Sequence, residues 1–450
     1  MIGLNKIGLN QVQLNRLRLN APFPTCRKMA GGSGSGDGFP QLPGDVTRWH
    51  FGGLTNEMMA AMDDPRIEDA DHKGRFLSFK NFAWKEGSGI SDIYPGALVF
   101  DGVDDRGVCD NFPILTKEKG YTVVVLRQWD QDFLNTTLTG GLLSTRNYST
   151  REGVAFEKIE SSNKGYWNLG AGGIIDFAKS PFTWQTSKQY NNVGILKGDK
   201  NHGKPLCVGC GLSGGQQCGR FAIWELVFLD HDATEEELTK IKDYFVKTYP
   251  WLFPDQAWTV VGKTNEDEDR ATIANITGNG NALVCLNLGF IEGSGYNEEG
   301  EYAGYLVTDG VDDKITSSTF EMGNDWTVIG DWELINTGKN DNAGIVKFNS
   351  IVIYNYNPIL INIKNGRNNL IPDQNTVNAI CSDGRIYSKD WKESIYNEET
   401  ESTGKNLLTI GYSGNDYTKI AFRNLAIYPT VLSKEDCIKA YNYLQTLKAK

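Results

Sequence analysis

The ten residues from Gly96 to Asp105, Gly-Ala-Leu-Val-Phe-Asp-Gly-Val-Asp-Asp, return from Gly304 to Asp313 as Gly-Tyr-Leu-Val-Thr-Asp-Gly-Val-Asp-Asp, with eight of ten positions identical at an offset of 208. The chain is therefore an internal duplication. Trp49 with Thr55-Asn56-Glu57 matches Trp258 with Thr264-Asn265-Glu266, and Asn81 followed by Glu86-Gly-Ser-Gly89 matches Asn287 followed by Glu292-Gly-Ser-Gly295. Farther on, Phe221 to Phe245 has the layout of Ile420 to Leu444, now at an offset of 199, so the second copy is shorter in its middle. A single core seldom grows past roughly 250–300 residues, and solenoid repeats run about 20–50, so copies of about 200 residues predict tandem domains. The boundaries follow: an arm over 1–30, a Gly/Ser-rich linker over 31–44, a first domain over 45–255 and a second over 256–450.

Each copy reads as all-β with one closing helix. Tyr121-Thr-Val-Val-Val-Leu126, Trp326-Thr-Val-Ile329 and Ser350 to Tyr356 are β-branched and aromatic runs bounded by Gly, Asn and Asp, which are strand signals. With 40% hydrophobic and 11% aromatic residues there is enough apolar side chain for two full cores, and 50 glycines favour tight turns over long helices. At the end of each copy, Thr234-Glu-Glu-Glu237 and Ser433-Lys-Glu-Asp436 place a capping oxygen and an acid where free backbone N–H groups open a helix. Leu238, Ile241 and Phe245 then share one face, as Cys437, Tyr441 and Leu444 do in the second copy. The eight cysteines, several in apolar strand contexts such as Val284-Cys285-Leu286, are expected to be reduced, buried hydrophobes.

The first 36 residues differ in kind. They carry five basic residues and no acid, so the balance is +5 there against −16 over the rest, summing to the net −11. Residues 1–20 repeat with a period of five: Ile2-x-Leu4-Asn5, Ile7-x-Leu9-Asn10, Val12-x-Leu14-Asn15, Leu17-x-Leu19-Asn20. At 100° per residue these positions scatter around a helix, and an odd period alternates faces along a flat strand. The arm is expected to gain order by wrapping a partner, anchored by Leu4, Leu9, Leu14 and Leu19 with Arg16 and Arg18. No run approaches the roughly 18 apolar residues of a membrane span, and no apolar leader opens the chain, so synthesis in the host cytoplasm is expected.

The Ala97 to Asp105 segment, the strand Leu408-Thr-Ile-Gly411 and the strand–turn–helix from Phe422 to Tyr441 together resemble the concanavalin A-like lectin/glucanase, or laminin-G-like, jelly roll. The resemblance covers roughly residues 45–450 and implies two tandem sandwiches of curved antiparallel sheets. The first copy departs from it at Leu229-Asp-His-Asp-Ala-Thr234, where the second has a Tyr-Pro turn. Joined to a basic repetitive arm and a glycine linker, the tandem jelly rolls are similar to fibre or decoration proteins of tailed phages of gut Bacteroidota (crAss-like). That similarity implies a particle-exterior location, virion proteins as partners of the arm, and a homo-oligomer, with a trimer as the usual fibre state.

The fold hosts lectins, hydrolases and spacers alike, so function must come from sites. Retaining glucanases need two carboxylates about 5–5.5 Å apart, and the Glu-x-Asp-x-x-Glu pattern that supplies them in this family is missing here. No catalytic residues are assigned; a free lectin and a glycoside hydrolase rank second and third behind a structural protein. Asp101, Asp104 and Asp105, with Asp309, Asp312 and Asp313, could offer oxygen ligands to calcium, but Asp-Gly is also a turn signal whose carboxylates bond backbone N–H groups, and the turn is the reading adopted. Cys207, Cys210 and Cys218, with His202, have the outline of a zinc set, yet the second copy places Thr409 and Tyr412 opposite Cys207 and Cys210, so neither metal nor cofactor is expected. Sugar binding would use aromatic faces, with Trp129, Trp167, Trp184, Trp332 and Trp391 as candidates for cell-surface or mucus glycans. The acidic body disfavours nucleic acid.

Overall fold

The computed structural model describes residues 38–113, 119–145, 155–158, 164–167, 174–176, 181–189, 205–212, 216–278, 280–335, 343–348, 351–355, 359–363, 367–371, 377–395, 404–412 and 416–449. The pentad arm, including Leu4, Leu9, Leu14, Leu19, Arg16 and Arg18, lies outside the described residues, as does His202.

Residues 43–450 form one compact unit built from two β-sandwiches. In the first, β1 (Val46–His50), β2 (Leu98–Asp101), β3 (Thr122–Trp129), β4 (Phe182–Thr186) and β5 (Arg220–Leu229) belong to a six-stranded front sheet, in which β4, β3, β5 and β2 are successive neighbours and β1 also pairs with β5. A ten-stranded back sheet faces it. The second sandwich repeats the plan with β6 (Gln256–Thr259), β7 (Tyr305–Val307), β8 (Thr327–Leu334), β9 (Val377–Cys381) and β10 (Ile420–Tyr428), the last paired with β6, β7 and β8. Its front and back sheets have eight strands each. The duplication read from ten residues thus extends to strand order, and the chain is nearly all β, in two jelly-roll-type sandwiches.

The two cores are separate. Trp49, Phe79, Phe100, Val125, Trp129 and Phe228 belong to one buried cluster, and Trp258, Leu306, Val328, Trp332, Leu425 and Ile427 to another. In each copy the same strand carries a β-bulge. Ile223 pairs with Arg127 and Glu225 with Leu126, leaving Trp224 as the extra residue; Phe422 pairs with Trp332 and Asn424 with Asp331, leaving Arg423. A bulge adds one residue to one strand and re-aims side chains locally.

The closing helices α1 (Glu235–Thr248) and α2 (Lys434–Leu444) start where the capping residues place them. Thr234 Oγ1 accepts from Glu237 N while Glu237 Oε2 accepts from Thr234 N at 2.7 Å, and Ser433 Oγ accepts from Asp436 N at 3.1 Å. Leu238, Ile241 and Phe245 are buried as their spacing requires. In α2, Cys437 and Leu444 are buried, but Tyr441 is only half-buried and Tyr443 takes the interior place.

Under α1 the first sandwich holds a polar cluster away from its apolar core. Glu225, fully buried, faces Arg48 Nη1 at 3.3 Å and His50 Nδ1 at 2.7 Å, and its Oε1 accepts from the hydroxyls of Tyr244 and Tyr249 at 3.0 Å each. This ties the first strand, the last strand and the helix together. In the second copy the equivalent positions are Ala257, Thr259 and Asn424, so the ion pair is absent there.

Candidate functional site

The signature repeated in both copies is a turn built on its own carboxylates. Asp101 Oδ1 accepts from Val103 N at 2.8 Å and Asp104 N at 3.3 Å; Asp105 accepts from Asp101 N and from the Ser88 hydroxyl, each at 3.0 Å. In the second copy Asp309 accepts from Val311 N at 2.7 Å, and Asp313 from Asp309 N at 2.8 Å and the Ser294 hydroxyl at 2.7 Å. Asp104 and Asp312 are exposed and contribute their carbonyls, which accept from the side-chain amides of Asn81 and Asn287. The glycine is required twice over: Gly102 and Gly310 both have φ near +78°, and a Cβ on Gly102 would stand 2.9 Å from Arg220 Cβ. Burial and the like charges of Asp101 and Asp104 push the Asp105 carboxyl up to about 7, and burial raises Asp313 in the same way. In each copy the three carboxylates sit within 4.8 Å of one another, a spacing that also fits an oxygen-ligated cation.

The cysteines correct one expectation. Cys210 and Cys218 stand directly opposite across the antiparallel pair Cys210–Leu212 and Gln216–Cys218, with Cα atoms 3.9 Å apart, and form a disulfide. A single hairpin register brings them together, which composition and context could not reveal. Cys109, Cys207, Cys285, Cys381 and Cys437 are buried thiols outside any disulfide.

The tryptophan candidates separate by register. Trp129 lies opposite Phe221 and stacks on Phe133 with centroids 5.9 Å apart, and Trp332 lies opposite Phe422; both are buried core residues, so neither offers a face to a sugar. Trp167 is on a described strand, but its side chain lies outside the described residues. Trp184 is half-buried on β4. Trp391, half-buried with φ +58°, occupies the turn between Arg385–Ser388 and Glu393–Ile395, its ring 5.7 Å from Tyr441 of α2 and nearly perpendicular to it.

From Trp391 a strip of side chains missed in the sequence crosses the front sheet of the second sandwich. Tyr441 faces the Asp331 carboxylate on β8, and each bears on the other's ionisation. The Tyr305 hydroxyl donates to Asp331 Oδ1 at 3.1 Å, Arg423 Nη1 stands 3.8 Å from Asp331 Oδ2, and the Arg423 guanidinium lies 5.7 Å above the Tyr305 ring. Tyr302 continues the strip, edge-on to Tyr305 at 6.3 Å, and Lys389 pairs with Glu333 at 3.9 Å. Tyr302, Tyr305, Arg423 and Tyr441 are all half-buried. Burial raises the Asp331 carboxyl above its ordinary range, against the opposing pull of Tyr305 and Arg423. Half-buried aromatic rings beside a carboxylate acceptor and a guanidinium donor are the chemistry of hydroxyl-rich ligands. The signal available in sequence was disagreement between copies: Trp224 becomes Arg423, and Gln128 becomes Glu333.

Fold and site define a tandem β-sandwich protein whose second front sheet carries a strip of half-buried aromatic and polar side chains. The sequence matches no protein-family model and no curated protein sequence. Among solved structures it is similar to one titled crystal structure of the receptor binding domain, at 14% identity and TM-score 0.31 over 45% of this chain and 53% of that one. It is also similar to the botulinum neurotoxin type G receptor binding domain, at 11% identity and TM-score 0.28 over 42% and 50%, and to Trypanosoma rangeli sialidase in complex with sialic acid, at 9% and 0.31 over 84% and 67%. The chain spans about half the length of the first two. At these identities and scores the likeness assigns neither activity nor ligand.

Proposed function

We propose that this chain is a non-enzymatic, lectin-like display protein of a virus particle, a head fibre or decoration protein whose arm docks to other virion proteins and whose sandwiches face outward toward host or mucus glycans. The observation that carries the binding part is the strip from Trp391 through Tyr441, Asp331 and Arg423 to Tyr302, where aromatic faces and paired polar groups share one half-exposed sheet face. The opposite charges of arm and body support an anchor that engages a different surface from the one displayed. Two assays on the full chain test the two parts. Incubation with a glycan array should give a saturable signal, and co-sedimentation with particles should require residues 1–30. An array-positive protein that does not co-sediment with particles would leave a free lectin as the function, and one that joins them equally well without its arm would refute the arm as the anchor.

A further inference from the structure

The two copies use the same face of the front sheet differently. In the first, the face around the bulge is closed: Trp224 is fully buried with its ring 6.2 Å from Tyr443 of α2, and its Nε1 donates to Pro95 O at 2.9 Å. The Tyr443 hydroxyl donates to Gln128 at 2.9 Å, and Lys448 Nζ reaches Asp132 at 2.6 Å. The closing helix of the second copy and the residues after it therefore plug the first. Applying the two offsets and the strand registers, Tyr94, Gln128 and Trp224 correspond to Tyr302, Glu333 and Arg423. Among the described residues, no contact of a first-copy helix with Tyr302, Glu333 or Arg423 parallels this.

The residues changed in step with the covering. Where the helix of the other copy seals the face, the bulge residue is Trp; in the second sandwich, where among the described residues only its own α2 borders the face, it is Arg, beside an aspartate, a glutamate and two half-buried tyrosines. Beneath them the fully buried Asn424 donates its side-chain amide to Gln445 Oε1 at 3.5 Å. Asp331 is matched with Arg423 and Glu333 with Lys389, while Glu301 beside Tyr302 adds a further acid, so the strip presents donors and acceptors but disfavours an anionic ligand.

We propose that this strip is the chain's one glycan site and takes an uncharged pyranose, a ring face stacking on Tyr302 or Tyr305 while adjacent hydroxyls donate to Asp331 and accept from Arg423. This rests on the lectin-like reading above and narrows it to one face, one ligand class and one site per chain.

The test uses the full chain on an array of neutral gluco-, galacto- and manno-oligosaccharides with sialylated and sulfated glycans beside them. The strongest hit is then titrated calorimetrically. Expected are a neutral ligand, a stoichiometry of one, and affinity weakened about ten-fold or more by Tyr302→Ser and by the paired change Asp331→Ala with Arg423→Ala. Tyr302→Ser alters a side chain outside the core and decides the matter if the paired variant fails to fold. Neutral binding undiminished by Tyr302→Ser and by a folded paired variant overturns the site while leaving the lectin reading intact. Binding confined to anionic glycans overturns the ligand class, and two ligands per chain overturn the single site. A wild-type chain that binds no glycan overturns both this proposal and the lectin reading.

Discussion

Glu225 offers a stability experiment with a control already built into the chain. It is fully buried, as is Arg48, and its carboxylate is met by Arg48, His50, Tyr244 and Tyr249. Removing the arginine as Arg48→Met keeps most of the volume but leaves a buried carboxylate with only neutral or partly exposed partners. Breaking a buried ion pair from one side typically costs about 3–5 kcal/mol; three remaining donors place the expected loss at the lower end, about 3 kcal/mol. Glu225→Gln alone strands the guanidinium and should cost about 2–3 kcal/mol. The double change removes both charges and should fall within about 1–2 kcal/mol of wild type, giving a coupling of at least about 2 kcal/mol. The expectation that a charge-free version is tolerated comes from the second copy, which closes the same face with Ala257 and Asn424. Urea unfolding of the full chain, followed by tryptophan fluorescence, measures all four corners of the cycle. Additive single effects, or a loss below about 1 kcal/mol for Arg48→Met, would show that the cluster is already wet and would refute the argument.

Three further outcomes are expected. Because burial raises the native Asp105 carboxyl to about 7, and raises Asp313 too, the folded state holds more protons than the unfolded chain between about pH 4 and 7; this contribution to stability is present at pH 4 and lost as pH rises to 7, and Asp105→Asn should flatten that slope in denaturation measured at pH 5 and 7.5. Tyr443→Ala removes the plug in the first sandwich, should cost about 3–5 kcal/mol, and should split thermal unfolding into two transitions; one unshifted transition would speak against the helix as the coupler. Replacing Leu4, Leu9, Leu14 and Leu19 by Ser should abolish co-sedimentation with particles and leave the melting of the body unchanged, since each leucine is worth roughly 1.5–3 kcal/mol only where it is buried on a partner.

What the sequence disclosed is what repeats or is local. Both helix starts follow from a capping oxygen three residues before its acceptor's donor, and the Asp-Gly turns follow from short carboxylates beside their own backbone. Which of the three aspartates holds the turn was not legible, and the structure gives it to Asp101 and Asp105, with Asp104 facing solvent. Tryptophan exposure was hidden because β3 and β5 are buried on both faces and show no alternation to read. Only the register, with Phe221 opposite Trp129, tells core from surface. The disulfide and the strip were hidden for the same reason: each depends on which strands are neighbours, and strand pairing is long-range information.

The duplication gives those long-range facts a meaning they would lack singly. Two copies that began alike kept the turn, the bulge, the caps and the strand order, which are the features any such sandwich needs to fold. They diverged at the ion cluster under α1 and at the face around the bulge, where one copy spends its surface on holding its neighbour and the other leaves its surface open. Tyr244 and Tyr443 occupy the same place in their helices, yet one hydroxyl turns inward to Glu225 and the other crosses to Gln128 of the other sandwich. A single residue type therefore closes one domain and joins two. Among the described residues the corresponding face of the second sandwich makes no such contact with the first, and the ligand proposed there is the reading that gives its half-buried tyrosines, arginine and aspartate a role.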